Sequence, residues 1–310
     1  MTPCDRTLLP SADAYYLLRT TARSRTEEMQ IQNGLIYDVG MHNGNDTAFY
    51  LRQGFKVVAI EADPELASAA MGRFESEVRS GRLTVLNLGI AETKGTATFW
   101  ICDDKREWNS FNPKVAGRNN SKHHSVEIKT ARFGDILDEF GIPTYLKIDI
   151  EGCDSLCVRE LRGRPIPRFI SMESECPGDG DDLTEDECTS TLQLLCGAGY
   201  RQFKLIAQTD FSVVPRVVSI GKLVQSAAYG RLRLPVLAGL AKGFTHQEYL
   251  RRTHDYDFLP GSSGPWGDGT PGKWVNAKQA RERYLRARDR HFKNSSVPKY
   301  SFWYDWHATI

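Results

Sequence analysis

From Leu35 to Glu173, short apolar runs rich in β-branched residues stop on glycines or acids and alternate with stretches of helical periodicity. Leu35-Ile36-Tyr37-Asp38-Val39 ends at Gly40, a helix-like stretch from Asp46 to Arg52 stops at Gly54, and Lys56-Val57-Val58-Ala59-Ile60 ends on Glu61. Strands apolar on both faces and separated by helices belong to a parallel sheet covered on both sides. Ligands of such sheets bind at the carboxyl ends of the strands. The residues that end each run are therefore the ones to read for chemistry.

The same rhythm continues. Pro64 is placed to open a helix in which Leu66, Ala70, Phe74 and Val78 recur every four residues. Leu83 to Ile90 predicts a third strand and Gly95 to Ile101 a short alternating one. Arg132 to Phe140 predicts a helix, Thr144 to Ile150 a fourth core strand and Arg168 to Glu173 a fifth. Thr184 with Glu187 three residues on forms a capping box for a helix reaching about Gly197, followed by a strand from Tyr200 to Ala207. His123-His124 reads as part of a polar loop. From Gly221 the sequence turns basic, aromatic and rich in Gly and Pro, the texture of a binding loop or lid, with Ser262, Ser263, Trp266 and Trp274 as candidate pocket formers. A helix from Asn276 to Lys293 follows, whose arginines read as a solvated face.

Composition excludes several partners. With 310 residues, 40% apolar, 25% charged and a formal net charge of +1, the chain is an ordinary globular one with no call for a nucleic acid. No apolar run approaches the roughly 18 residues of a membrane span, and the first thirty residues lack a secretory signal, so the expected location is cytoplasmic. The seven cysteines, Cys4, Cys102, Cys153, Cys157, Cys176, Cys188 and Cys196, are scattered and odd in number, and read as free thiols. Cys153 and Cys157 lack the second pair that a tetrahedral zinc site needs.

Three strand ends carry the chemistry. Asp38-Val39-Gly40-Met41-His42-Asn43-Gly44 has D-x-G-x-x-x-G spacing rather than the G-x-G-x-x-G of a nicotinamide fingerprint, which disfavours a nicotinamide oxidoreductase. Glu61 stands 23 residues after Asp38, near the interval at which an acid meets ribose hydroxyls. Lys147-Ile148-Asp149-Ile150-Glu151-Gly152 alternates charged and apolar residues at the end of a central strand, where a buried carboxylate is costly unless it is paired or faces the open crevice. Pairing of Lys147 with Glu151 is the structural alternative for that segment.

DVGMHNGNDTAFYLRQGFKVVAIEADP, NLGIAETKG and YLKIDIEGCD together resemble the FkbM family of methyltransferases. The resemblance implies a class I methyltransferase fold: α/β, Rossmann-like and doubly wound, a mostly parallel seven-stranded sheet with a carboxyl-terminal insertion. It implies S-adenosylmethionine as methyl donor and, commonly, O-methylation of a hydroxyl on a small molecule, natural product or glycan. N-methylation of a peptide, or a non-catalytic cofactor-binding module of the same fold, are the alternatives. Carried over, Asp38, Gly40 and Gly44 would line the methionine end, and His42, Asn43, Asp46 and Thr47 are further candidate cofactor contacts. Glu61 and Ala62 would meet the ribose, and Gly89, Ile90 and Ala91 the adenine. Asp149 with Glu151 would form the floor of the reaction crevice. Asp149 is also a candidate cofactor contact, and Asp149, Glu151, Glu173 and His42 are the candidate catalytic residues; no metal ion is expected, a magnesium or calcium ion held by the clustered carboxylates being the alternative. Glu175 and His307 are further candidates. The resemblance divides the chain into an extension (1–33), a core (34–220), an acceptor-side insertion (221–299) and a last core strand (300–310). That last strand would lie antiparallel beside the fifth, with Trp303, Asp305 and His307 on one face. Nothing in the sequence indicates an oligomeric state.

Overall fold

The computed structural model describes residues 31–174, 184–214, 246–259, 261–293 and 302–310. The expectations for residues 1–30 and for Glu175 lie outside the described residues.

The strands in chain order are β1 (Ile31–Val39), β2 (Lys56–Glu61), β3 (Leu83–Asn87), β4 (Gly89–Ile90), β5 (Gly95–Cys102), β6 (His123–Ala131), β7 (Ile142–Ile148), β8 (Phe169–Glu173), β9 (Gln202–Ala207), β10 (Val275–Asn276) and β11 (Tyr304–Thr309). The large sheet runs β10-β9-β11-β8-β7-β1-β2-β3. β1 pairs in parallel with β2 on one side and β7 on the other, so the chain reverses direction across the sheet between β1 and β7. A crevice opens outside the carboxyl ends of the strands at such a switch point. β11 is antiparallel and lies inside the sheet, paired with β8 and β9.

Eight strands stand where the sequence predicts seven. The additional one, Val275–Asn276, is a two-residue edge pairing just before the helix Ala277–Lys293, too short to leave a periodicity. A second sheet, β4-β6-β5, is built on the expected short strand. His123-His124 opens β6 rather than lying in a loop. Only Ile128, Thr130 and Ala131 of that strand are buried while its other polar residues are exposed, so it reads as a loop in sequence.

Burial on both faces explains the near-continuous apolar character of the central strands. One face of the large sheet packs Tyr37, Val39, Leu146, Ile148, Ile170 and Met172, the other Ile36, Val57, Ala59, Tyr145, Phe169 and Ile206. Trp266 and Trp274, expected at an acceptor pocket, cover this second face instead. Trp266 stacks on Tyr145 with ring centroids 4.7 Å apart, and Trp274 lies over Phe169 at 6.1 Å. These flat apolar rings cover the sheet where the helices leave it open.

Candidate active site

A cavity of about 660 Å³ lies at the carboxyl edge of β1, β2, β7 and β8. That is the size range of a pocket for a cofactor or a drug-sized ligand. Its shape starts with the turn after β1. Gly40 has φ 82°, and a Cβ there would stand 1.8 Å from the Asp149 carbonyl oxygen, so no side chain is possible where β1 and β7 hand over to their loops. His42 adopts φ 50°, unusual for a side chain of its size, and its N–H donates to Glu61 Oε2 at 2.7 Å, which secures the turn.

Glu61 is buried and fixed at both oxygens. Oε2 accepts from His42 N, and Oε1 accepts from Asp63 N at 2.9 Å. Each oxygen keeps a second lone pair, and the two together suit a vicinal diol. Burial pushes its pKa up to about 7, against the lowering effect of the two amides. The supporting loop is braced in turn. Asp63 caps the helix Pro64–Arg73 through Glu65 N and takes Arg106 and Asn109 on its other oxygen at 2.6 and 3.0 Å.

Beside Glu61 an apolar slot is lined by Leu88, Gly89, Ile90, Phe99 and Phe111. A Cβ on Gly89 would meet the Phe111 ring at 2.5 Å, so this glycine lets the Phe111 ring close onto the backbone and wall the slot. A diol-binding carboxylate next to an apolar slot fits a nucleoside.

At the other end sits a buried ion cluster. Lys147 Nζ donates to the Gly40 carbonyl at 2.7 Å and lies 3.2 Å from Asp38, 3.7 Å from Asp149 and 3.8 Å from Asp46. Burial alone would lower its pKa, but Asp38, Asp149 and Asp46 outweigh it and hold the ammonium charged. Asp38 is wholly buried and also accepts from Thr47 Oγ1 at 2.6 Å. Burial raises Asp46 to about 6, against the pull of Lys147. Its two oxygens accept the Ser263 N–H, each at 2.9 Å, which ties the loop Gly261–Ser263 to the cavity wall.

Of the sequence-predicted residues, Gly40, His42, Asn43, Asp46, Glu61, Ala62, Gly89, Ile90, Asp149, Glu151 and Glu173 line the cavity. Asp38, Gly44, Thr47 and Ala91 do not. Asp38 and Thr47 lie behind the wall that Lys147 forms, and Gly44 packs against Phe74. Ala91 N bonds back to the Ala131 carbonyl of the small sheet. Glu151 pairs with Arg118 at 2.8 Å, not with Lys147, because the turn bends it away at φ 42°. His307 is buried in β11 away from the cavity, and burial lowers its pKa to about 3. Burial also keeps His42 neutral by lowering its pKa.

Sequence reasoning missed Lys147 as a site residue, and with it Phe111, Trp108, Gln208 and Trp303, which also line the cavity. Only the fold brings them there. Among the described residues no group of three or more histidines, cysteines or acids is arranged to hold a metal ion, and no helix is long and apolar enough to cross a membrane.

The model of the methyltransferase FkbM domain matches residues 38–201. A search of the curated proteins finds no match. Among solved structures the chain is similar to a precorrin-6y C5,15-methyltransferase from Geobacter metallireducens, at 14% identity over 58% of this chain and 72% of that one, with a TM-score of 0.31. It is also similar to a SAM-dependent methyltransferase from Aquifex aeolicus, at 13% identity over 57% and 77% of the two chains, with a TM-score of 0.27.

Proposed function

Because this chain belongs to the FkbM methyltransferase family and uses S-adenosylmethionine, we propose that it methylates a hydroxyl of a small molecule, natural product or glycan, with Glu173 as the proton acceptor. The donor supplies a methyl group already activated by the sulfonium charge, so the protein's part is alignment, exclusion of water and removal of the acceptor proton. Glu61 and the slot at Gly89 would hold the adenosine, and His42, Asn43 and Asp46 the methionine end.

The contrast among three carboxyls at the cavity wall carries the reading. Asp149 stands against Lys147 and Glu151 is held by Arg118, while Glu173 has no cationic partner among the described residues. Burial, followed by Asp149 and Glu151, pushes the Glu173 pKa well above the ordinary carboxylate range. A carboxylate of raised pKa is a stronger base toward a hydroxyl. Trp303, partly exposed beside Gln208 and Thr209, and the loop Gly261–Ser263 would bound the acceptor. The chain then divides into a core at 34–220, an acceptor-side segment at 221–299 and a last strand at 300–310.

The test uses methyl-labelled S-adenosylmethionine with fractionated small-molecule extracts, followed by mass analysis of the labelled product. The label is expected on oxygen. Glu173→Gln should lower turnover by about 10²- to 10⁴-fold and leave donor affinity unchanged. Turnover at the wild-type rate would remove Glu173 from the chemistry, and label found only on nitrogen would overturn the O-methylation reading.

A further inference from the structure

β11 brings a second acid to the same row. Asp305 stands directly opposite Glu173 in the antiparallel ladder. The next pair, Ser174 and Tyr304, carries the hydrogen bond, Ser174 N to Tyr304 O at 2.8 Å. Asp305 and Glu173 therefore form the narrow, non-hydrogen-bonded kind of pair, with Cβ atoms about 4.5 to 5.5 Å apart on one face. Glu173 reaches the cavity; Asp305 is buried beneath it and does not line the cavity. On the far side, Gln208 Nε2 donates to Asp305 Oδ1 at 2.7 Å, and Gln208 itself lines the cavity.

We propose that Asp305 is a positioning residue that acts through Glu173: the two acids form a cross-strand pair, and the Gln208 amide favours ionisation of Asp305 first, so that Glu173 is the last of the two to ionise and, once ionised, the stronger base toward the acceptor. This rests on Glu173 as the proton acceptor and extends that reading to the residues that set its basicity. Two carboxyls this close in a water-poor site do not both ionise readily, so one pKa rises. An amide that donates only to the buried partner decides which one. The acid directly above the acceptor then takes its proton at a higher pH than a lone surface glutamate would.

The surrounding charges fit this division. Glu173 faces Asp149 and Glu151 from the turn beyond β7, Asp154 from the start of the helix Asp154–Arg159, and Asp305 from β11. Asp305 faces Gln208 from just past β9, Lys147 from β7, Asp149 from just past β7, and Asp46 from the helix after β1. Lys147 is the nearest cation, and its charge is already divided among Asp38, Asp46 and Asp149. Arg118 is taken by Glu151. Among the described residues no cation forms an ion pair with Glu173 or Asp305. Burial raises Asp305 to about 7 against the Gln208 hydrogen bond.

The experiment needs neither donor nor acceptor. Protein labelled with carboxyl-13C glutamate is titrated by NMR, with the Glu173 resonance identified by its loss in Glu173→Gln. In the wild type its midpoint should lie above the usual glutamate range. Asp305→Asn, which keeps shape and removes the charge, should lower that midpoint by about one pH unit or more. Gln208→Leu should shift it the same way by less, because Asp305 then keeps its own proton to higher pH; it carries the test if Asp305→Asn melts poorly. A Glu173 midpoint unchanged in the folded variants would overturn the pairing. The base assignment fails separately, through wild-type turnover in Glu173→Gln.

Discussion

Replacing Lys147 with alanine is expected to destabilise the fold by about 3–5 kcal/mol at pH 7.5, the cost of removing one partner from a buried ion cluster. Asp38 is wholly buried and Asp46 nearly so, with Lys147 as their shared counter-ion. Without the ammonium Asp46, which burial already raises to about 6, must hold its proton in the native state at pH values where the unfolded chain has lost it. The variant's native state then binds more protons than its unfolded state, so its stability should recover as pH falls toward 4 and decline as pH rises. Urea unfolding across this range reads both effects. Adding Asp38→Asn to Lys147→Ala should return part of the loss, since a neutral amide needs no counter-ion. A loss below about 0.5 kcal/mol, or one independent of pH, would show that the cluster is not the anchor described here.

Deleting residues 302–310 is expected to yield insoluble or molten protein, because β11 is an interior strand and not a tail. Its removal strips ladder partners from both β8 and β9 and exposes their edges. It also removes Trp306, which is wholly buried and packs on Tyr284 at 5.5 Å and Phe203 at 6.4 Å between ring centroids. Trp306→Ala alone should cost about 3–5 kcal/mol, a large share of the 5–15 kcal/mol typical of a domain. Near-ultraviolet circular dichroism and thermal melting distinguish the outcomes. A truncated chain with a cooperative melt and intact tertiary signal would mean that β8 and β9 close without the strand between them.

How much of this was legible in sequence depends on the range of the interactions. The acids ending β1, β2, β7 and β8 stand out because a carboxyl at the end of an apolar run has no cheap structural purpose, and Asp149, Glu61 and Glu173 indeed come together. Their partners do not stand out. Lys147 and Glu151 look paired on spacing, yet the turn at Glu151 breaks the two-residue period and sends its carboxylate to Arg118. Lys147 then turns to Asp38, far behind in sequence, across a parallel pairing that spacing does not encode. β6 stays hidden because its first five residues are polar or only half-buried and burial is confined to Ile128, Thr130 and Ala131. Asp305 gains its meaning from a register with β8 that exists only once the last strand is inserted.

With both oxygens fixed by backbone amides, Glu61 is expected to grip the ribose of S-adenosylmethionine in this cavity. Calorimetric titration of the wild type and Glu61→Ala with S-adenosylmethionine at pH 8 and pH 6 tests it most directly. The wild type should bind at pH 8 and more weakly at pH 6, since a carboxyl with a pKa of about 7 is mostly protonated there and accepts hydroxyl donors less well. Glu61→Ala should bind about tenfold more weakly or worse at pH 8, for the loss of roughly 1.5 to 3 kcal/mol of hydrogen bonding to a charged group, and lose most of the pH dependence. Equal affinity of the two proteins at pH 8 would contradict the account.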